Sequence, residues 1–255
     1  HLIGDPDRPP ARVAVSLTDY ITGLYAFSGA MMAFAHRRAT GEGQVVDASL
    51  LEGSFSLTEQ HIAAYGKLGV VPNRLGAATG SSPNNLFLSR DGRYIHIAAN
   101  GPAVFRRMAQ LMGRADLLQD ERFRSAAARS KHRDEMDAIV SEWTGRHDLE
   151  QLEAMLNDAD VPATRIYTIA DVYRDPHYRE RGALVEVPDD DLGSVTLAAP
   201  VPRLSKTPGR IRRSGGRIGE DTREVLTGLA GMSVEELARL EAAGVVSCDP
   251  DRKKT

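Results

Sequence analysis

The sequence has 255 residues, with 32 lysines and arginines against 35 aspartates and glutamates and a formal charge of −3. With 42% apolar and 26% charged residues it can bury a core beneath an ordinary surface, which excludes disordered, collagen-like and low-complexity classes. Near-neutral charge argues against a dedicated nucleic-acid binder, and the single cysteine, Cys248, forbids an intrachain disulfide or a multi-cysteine metal site. At about 100–200 residues per domain, the length fits one large domain or two modest ones. Five of the cations are lysines (Lys67, Lys131, Lys206, Lys253 and Lys254), so arginine carries most of the positive charge. A reducing, cytoplasmic setting is expected, since no basic flank precedes an apolar run near residue 1. Position 1 is His1 rather than methionine, so a processed chain or a piece of something longer is expected.

Residues 1–10 carry three prolines and read as an extended arm. Ser16 then opens an apolar helix that runs to Ala35, with Ser16 and Asp19 at capping-box spacing. No charge falls between Tyr20 and Ala35, so burial on nearly all sides is expected. The run is rich in small residues and shorter than the roughly 20 apolar residues of a membrane span. His36, Arg37 and Arg38 end the helix where its dipole favours cations, and Gly41 and Gly43 make the turn. Residues 44–47 read as a short strand and residues 49–65 as a second amphipathic helix, which suggests α/β layering. Residues 69–85 have no periodicity, and loops this long in a compact fold are usually functional or linkers.

A second module follows. Residues 86–88 and 94–98, around the turn Arg90-Asp91-Gly92, predict a β-hairpin. Helices are predicted from Pro102 to about Met112, from a Ser130 cap to Trp143, and from Asp148 with Gln151 to about Ala159. A strand near 164–167, a short helix over 169–174 and a pair of small strands over 183–187 and 194–197 come next. Residues 200–219 are irregular and basic, with Arg203, Lys206, Arg210, Arg212, Arg213 and Arg217. Two helices close the chain, over about 222–229 and 234–243, the latter capped by Ser233 with Glu236 and stopped by Gly244.

Chemistry is harder to find. Gly41-Glu42-Gly43 and Gly215-Gly216 lack the spacing of a nucleotide-binding loop and read as turns. The histidines are scattered without metal-ligand spacing. His61 and His96 are possible bases but fit structural roles better. Asp19, Asp47 and Glu59 lie beside apolar segments, where a carboxylate can serve as acid or base; Asp19 also fits a helix start and Asp47 a strand end. Cys248 sits in the C-terminal tail away from any motif. The basic stretch ending at Arg217 could meet phosphates, with a solvated linker the favoured reading. The strongest candidate is the loop over residues 76–85, whose small residues leave its backbone N–H groups open to a ligand and suit a water-excluding lid; an interdomain linker is the plain alternative.

Several motifs occur in a telling order: Val13-Ala14-Val15-Ser16-Leu17-Thr18-Asp19, Thr22-Gly23-Leu24-Tyr25-Ala26, and Gly41-Glu42-Gly43-Gln44-Val45-Val46-Asp47. They are followed by Asp91-Gly92-Arg93-Tyr94-Ile95-His96-Ile97-Ala98, Val161-Pro162-Ala163, Asp175-Pro176-His177, Thr207-Pro208-Gly209 and Gly219-Glu220-Asp221-Thr222. In this order they resemble the family III CoA-transferases, also called the CaiB/BaiF family, over about residues 10–245. The resemblance implies an α/β fold in which part of a Rossmann-like large domain is joined by two linkers to a smaller α/β domain. On that reading residues 1–68 belong to the large domain, 69–85 are linker and mobile loop, and 86–199 form the small domain. Residues 200–220 are then the second linker and 221–255 return to the large domain.

The resemblance also implies an acyl-CoA:carboxylate CoA-transferase acting through covalent aspartyl intermediates. Coenzyme A thioester and a small carboxylic acid are its substrates, no cofactor is permanently bound, and two chains form an interlocked homodimer. No nucleic-acid or membrane partner is implied. The nucleophilic aspartate is expected upstream of His1, so no catalytic residue is assigned here and this piece alone is expected to be inactive. Gly80, Ser81, Ser82, Pro83 and Asn84 fall where the family's mobile active-site loop belongs and are the expected substrate contacts. That loop has fewer glycines than in formyl-CoA transferases, which points to another acid, a small dicarboxylate such as succinate. Racemase members carry a glutamate after the Ile-Ala-like strand, and Asn100-Gly101-Pro102 offers none. An α-methylacyl-CoA racemase and a non-catalytic interaction domain remain the alternatives.

Overall fold

An uncharged run from Tyr20 to Ala35 forms the body of one long helix, α1 (Leu17–Thr40), in a computed structural model that describes residues 2–248. It continues one turn past Ala35 and stops where Gly41, at φ 84°, donates its N–H to the Arg37 carbonyl at 2.8 Å. Ser16 makes no side-chain cap hydrogen bond, so the expected capping box is not formed. The expected burial is also not met within this chain. Of α1 only Thr22 is buried, while Leu24, Phe27 and Met32 are 67%, 65% and 71% exposed. The cause is a shortage of neighbours: among the described residues α1 packs chiefly against α2 (Leu50–Phe55).

That contact is close. A Cβ built on Gly53 would come within 2.4 Å of Thr22 Oγ1, so only glycine permits this approach. Ser49 starts α2, accepting the Glu52 N–H at 3.2 Å and donating its hydroxyl to the Glu52 carboxylate at 2.7 Å. The single helix expected over 49–65 is broken. A 3₁₀ turn (Ser56–Thr58) and Glu59 at φ 48° separate α2 from α3 (His61–Leu68). Residues 44–47 form no strand, because no partner among the described residues supplies ladder hydrogen bonds.

The predicted hairpin forms as β1 (Asn84–Leu88) and β2 (Tyr94–Ala98), and β3 (Ala163–Arg165) pairs antiparallel with the other edge of β2. His96 sits mid-strand, opposite Leu86 on one side and Thr164 on the other. The sheet packs with α4 (Pro102–Leu111), α5 (Ala126–Lys131), α6 (Arg133–Thr144) and α7 (Leu149–Asp158) around an apolar core. Phe87, Ile95, Ile97, Phe105, Met108 and Leu152 are at most 2% exposed there. The helix expected from Ser130 is instead two: Ser125 caps α5 by accepting the Ala128 N–H, and His132 breaks the chain before α6. Asp148 and Gln151 form the predicted capping box of α7. Arginine forks staple this unit, Arg90 to Asp148 at 2.9 and 2.6 Å, and Arg165 to Glu153.

The chain divides into two compact units, the first ending at Ile166 and the second beginning at Tyr167. The second holds α8 (Ile169–Arg174), α9 (Pro176–Glu180) and the antiparallel hairpin of β4 (Leu184–Asp189) and β5 (Gly193–Ala198). Thr168 and Asp171 make a capping box, and Glu186 accepts hydroxyl hydrogen bonds from Ser194 and Thr196 across the hairpin. A short α10 (Thr222–Glu224) runs on as a π-helical turn (Val225–Leu229), and α11 (Val234–Ala242) starts at Ser233. Helices and small sheets together bear out the α/β class.

The first unit's core sets its stability. Leu152→Ala, at a fully buried position of α7, is expected to cost about 2–5 kcal/mol. Chemical denaturation would read this as a lower midpoint at unchanged slope.

Candidate functional site

The loop singled out in the sequence has a fixed base and an open tip. Thr79 and Gly80 are exposed and Ser81 half-buried, whereas Ser82 and Pro83 are buried. The tip closes on itself. The Thr79 N–H donates to the Asn84 carbonyl at 3.3 Å, and the Thr79 and Ser81 hydroxyls pair at 3.1 Å.

The base is held from several directions. The Ala99 N–H donates to the Pro83 carbonyl at 2.8 Å. Asn84 Oδ1 lies 2.9 Å from His96 Nε2, so the β2 histidine orients the asparagine. Asp137 on α6 accepts from Asn85 Nδ2 at 2.8 Å and from Ser82 Oγ at 3.4 Å. Beneath them lies Arg129 of α5, 1% exposed. Its Nε donates to the Ser82 carbonyl at 3.0 Å, its Nη1 to Phe123 at 2.9 Å and its Nη2 to Asn100 at 2.7 Å. The guanidinium carbon lies 4.0 Å from the centroid of the Phe105 ring, a cation–π contact. Burial pulls the Arg129 pKa down from its ordinary value. Burial likewise pushes the Asp137 carboxyl above its ordinary range, opposed by the Asn85 hydrogen bond and the Arg133 charge. The structure thus places Gly80, Ser81, Ser82 and Pro83 in the loop and Asn84 not in it but at the first position of β1, with Arg129, Asp137 and His96 tied to the loop foot and to Asn84.

The carboxylates singled out in the sequence lie elsewhere in the first unit. Asp19 is in the first turn of α1 and, among the described residues, has no hydrogen bond or ion pair. It lines a cavity of about 750 Å³ with Arg12, Ser16, Ser54, Leu57 and Thr58. Asp47 lines a second cavity of about 290 Å³ with Tyr25, Ser49 and Glu52. Thr22 also borders it, its hydroxyl oxygen buried without a partner among the described residues. Glu59 is exposed at the kink before α3, and His61 is half-buried. No group of residues among those described could hold a metal ion.

The basic stretch pairs internally: Arg213 with Glu220 and Asp221, and Arg217 with Asp191. The Cys248 thiol is raised by desolvation and by the Glu241 carboxylate, which suits an unreactive thiol.

The segment that holds the loop, the two cavities and the hairpin matches a known family as a whole. The model of the CoA-transferase family III matches residues 1–222. The chain belongs to this family. Succinyl-CoA–D-citramalate CoA-transferase of Chloroflexus aurantiacus is 37% identical over 246 residues, which are 96% of this chain and 61% of that one. The beta subunit of succinyl-CoA–L-malate CoA-transferase of the same organism is 34% identical over 251 residues, 96% of this chain and 62% of the relative. Among solved structures, a CAIB/BAIF family protein from Brucella suis superposes with a TM-score of 0.72 at 29% identity, covering 88% of this chain and 58% of that one. The chain therefore spans about three-fifths of the length of these family III relatives. No helix among the described residues is long and apolar enough to cross a membrane.

Asp137 gives the loop base a pH signature. With its folded pKa raised, the folded state holds the proton more tightly than the unfolded chain. Its contribution to stability is therefore most favourable in acid and falls as pH rises through the two values. Asp137→Asn removes that dependence. The melting temperature of the variant minus that of the parent is expected to rise from about pH 3.5 to about pH 7; a flat difference would contradict the assignment.

Proposed function

We propose that the protein carrying this chain is an acyl-CoA:carboxylate CoA-transferase that moves coenzyme A between small carboxylic acids, with a dicarboxylate such as succinate as one of them. The observation that carries this reading is the 37% identity, over 96% of the chain, to a transferase whose name pairs succinyl-CoA with citramalate. Asn100-Gly101-Pro102, where the racemases resembled by this sequence carry a glutamate, supports transfer over epimerisation. On the same reading residues 86–199 form the small domain, two chains make an interlocked homodimer, and the protein works in the cytoplasm.

The chemistry proceeds by exchange at an aspartate. Its carboxylate attacks the thioester carbonyl, forming an acyl-aspartyl anhydride and releasing CoA thiolate. The thiolate attacks the aspartyl carbonyl, expels the donor acid and leaves an aspartyl-CoA thioester. The acceptor carboxylate then forms a new anhydride, and the returning thiolate takes the acceptor acyl group and frees the aspartate. Each anhydride is open to hydrolysis, so a cover over it has a purpose. The loop at residues 80–84, with its open tip and fixed base, is suited to that role.

One placement of the nucleophile, from the motif order, is upstream of His1. A second placement, Asp19, is favoured by a specific observation: its carboxylate is unpartnered among the described residues and borders the 750 Å³ cavity. The two separate in one experiment. Full-length protein incubated with succinyl-CoA and quenched with hydroxylamine is expected to carry a hydroxamate on one aspartate, located by peptide mass spectrometry. A hydroxamate on Asp19 that is lost in Asp19→Asn supports the second placement. One on an upstream aspartate supports the first, and the absence of any adduct overturns the covalent mechanism.

A further inference from the structure

Arg129 is a cation inside a core that otherwise contains almost no charge. Burying a guanidinium is costly, and exchange of a buried charge for an apolar residue of similar volume is often neutral or stabilising. Among the described residues no carboxylate pairs with it. Its partners are the carbonyls of Ser82, Asn100 and Phe123 and the face of Phe105. Those carbonyls belong to three segments far apart in sequence: the foot of the loop, the turn from β2 into α4, and the turn before α5. Only a planar fork with several fixed donors reaches all three at once; a lysine ammonium on its flexible stem does not.

The other ties converge on the same place. Ala99, next to Asn100, holds the Pro83 carbonyl, and Asp137 holds Ser82 and Asn85 from the opposite side. The foot of the loop and the Asn100–Gly101 turn are therefore joined through one buried side chain, while Thr79 and Gly80 stay exposed. We propose that Arg129 is a positioning residue, which fixes the foot of the loop against the β2–α4 turn so that only the tip moves over the reacting groups. This rests on the reading of the loop as a cover, and it adds the residue that sets where the cover pivots.

The test uses full-length protein and two independent readouts. In the parent, the Ala99 amide and the Arg129 Nε–H are expected to exchange with solvent as slowly as the α7 core amides, and the Gly80 amide to exchange fast. A fast Ala99 amide would overturn the proposal without any variant being made. In Arg129→Lys, the Ala99 and Thr79 amides are expected to exchange at least about tenfold faster, with Val140 and Leu152 unchanged. Turnover is expected to fall roughly 10- to 100-fold, with KM for succinyl-CoA kept within about twofold. Unchanged exchange at Ala99, or equal acceleration at every amide, refutes the anchor. Faster exchange at Ala99 and Thr79 with normal turnover upholds the anchor and removes the loop from the reaction, so the two readings fail separately.

Discussion

A buried guanidinium must satisfy its donors where it lies, and Arg129 has only backbone to satisfy them with. That constraint arranges much of the first unit. The carbonyl of Ser82 must point down into the core, which turns the preceding residues outward as a loop. The carbonyl of Asn100 must point toward the same charge, which fixes how β2 hands over to α4. Phe105 must lie flat beneath it, which sets the rotation of α4. Sheet, loop and helix are thus tied to one another at a point where a hydrophobic core alone would leave several arrangements of similar energy. On the proposed function this matters, because a cover over a hydrolysable intermediate is useful only if it closes to the same place each time.

The helices before the loop follow a different logic. α1 meets α2 across Thr22 and Gly53, with no room for a methyl group, and a Cβ on Gly29 would meet Val46 Cγ1 at 2.7 Å. Small residues therefore serve close contacts on one side of α1. On the others, Leu24, Phe27, Met32 and Phe34 are left open. An apolar face of this extent is uncommon on a soluble monomer. It accords with relatives whose chains are longer than the span matched here.

Local chemistry was legible in the sequence wherever the signal and its consequence lay within a few residues of each other. The Arg90-Asp91-Gly92 turn gave its hairpin, Asp148 with Gln151 gave a capping box, and Ser233 with Glu236 gave the start of α11. The irregular stretch up to Pro83 was visible from its composition, although Asn84 and Asn85, expected in it, belong to β1. Features that depend on distant partners were not. Residues 44–47 have strand chemistry but no strand partner among the described residues, and the kink at Glu59, at φ 48°, has no glycine or proline beside it to announce it. Arg129 looks like any other arginine in an arginine-rich chain, and nothing local announces that the distant carbonyls of Ser82 and Asn100 join that of Phe123 around it. The spacing of Ser16 and Asp19 suggests a capping box. With Ser16 uncapped, the Asp19 carboxylate is left facing a cavity.

The fork geometry that staples Arg90 to Asp148 and Arg165 to Glu153 has a practical side. Guanidinium groups hold their charge through any pH at which the fold survives, so such pairs are opened from the carboxylate side alone. They are equally indifferent to reagents that seek primary amines. Lys67, Lys131 and Lys206 are the lysines among the described residues, and none is a partner in the ion pairs above. Amine-directed cross-linkers will therefore map this protein sparsely. Distance restraints on the loop and its surroundings have to come through carboxylates, among them Asp137, which bonds Ser82 and Asn85 at the loop foot.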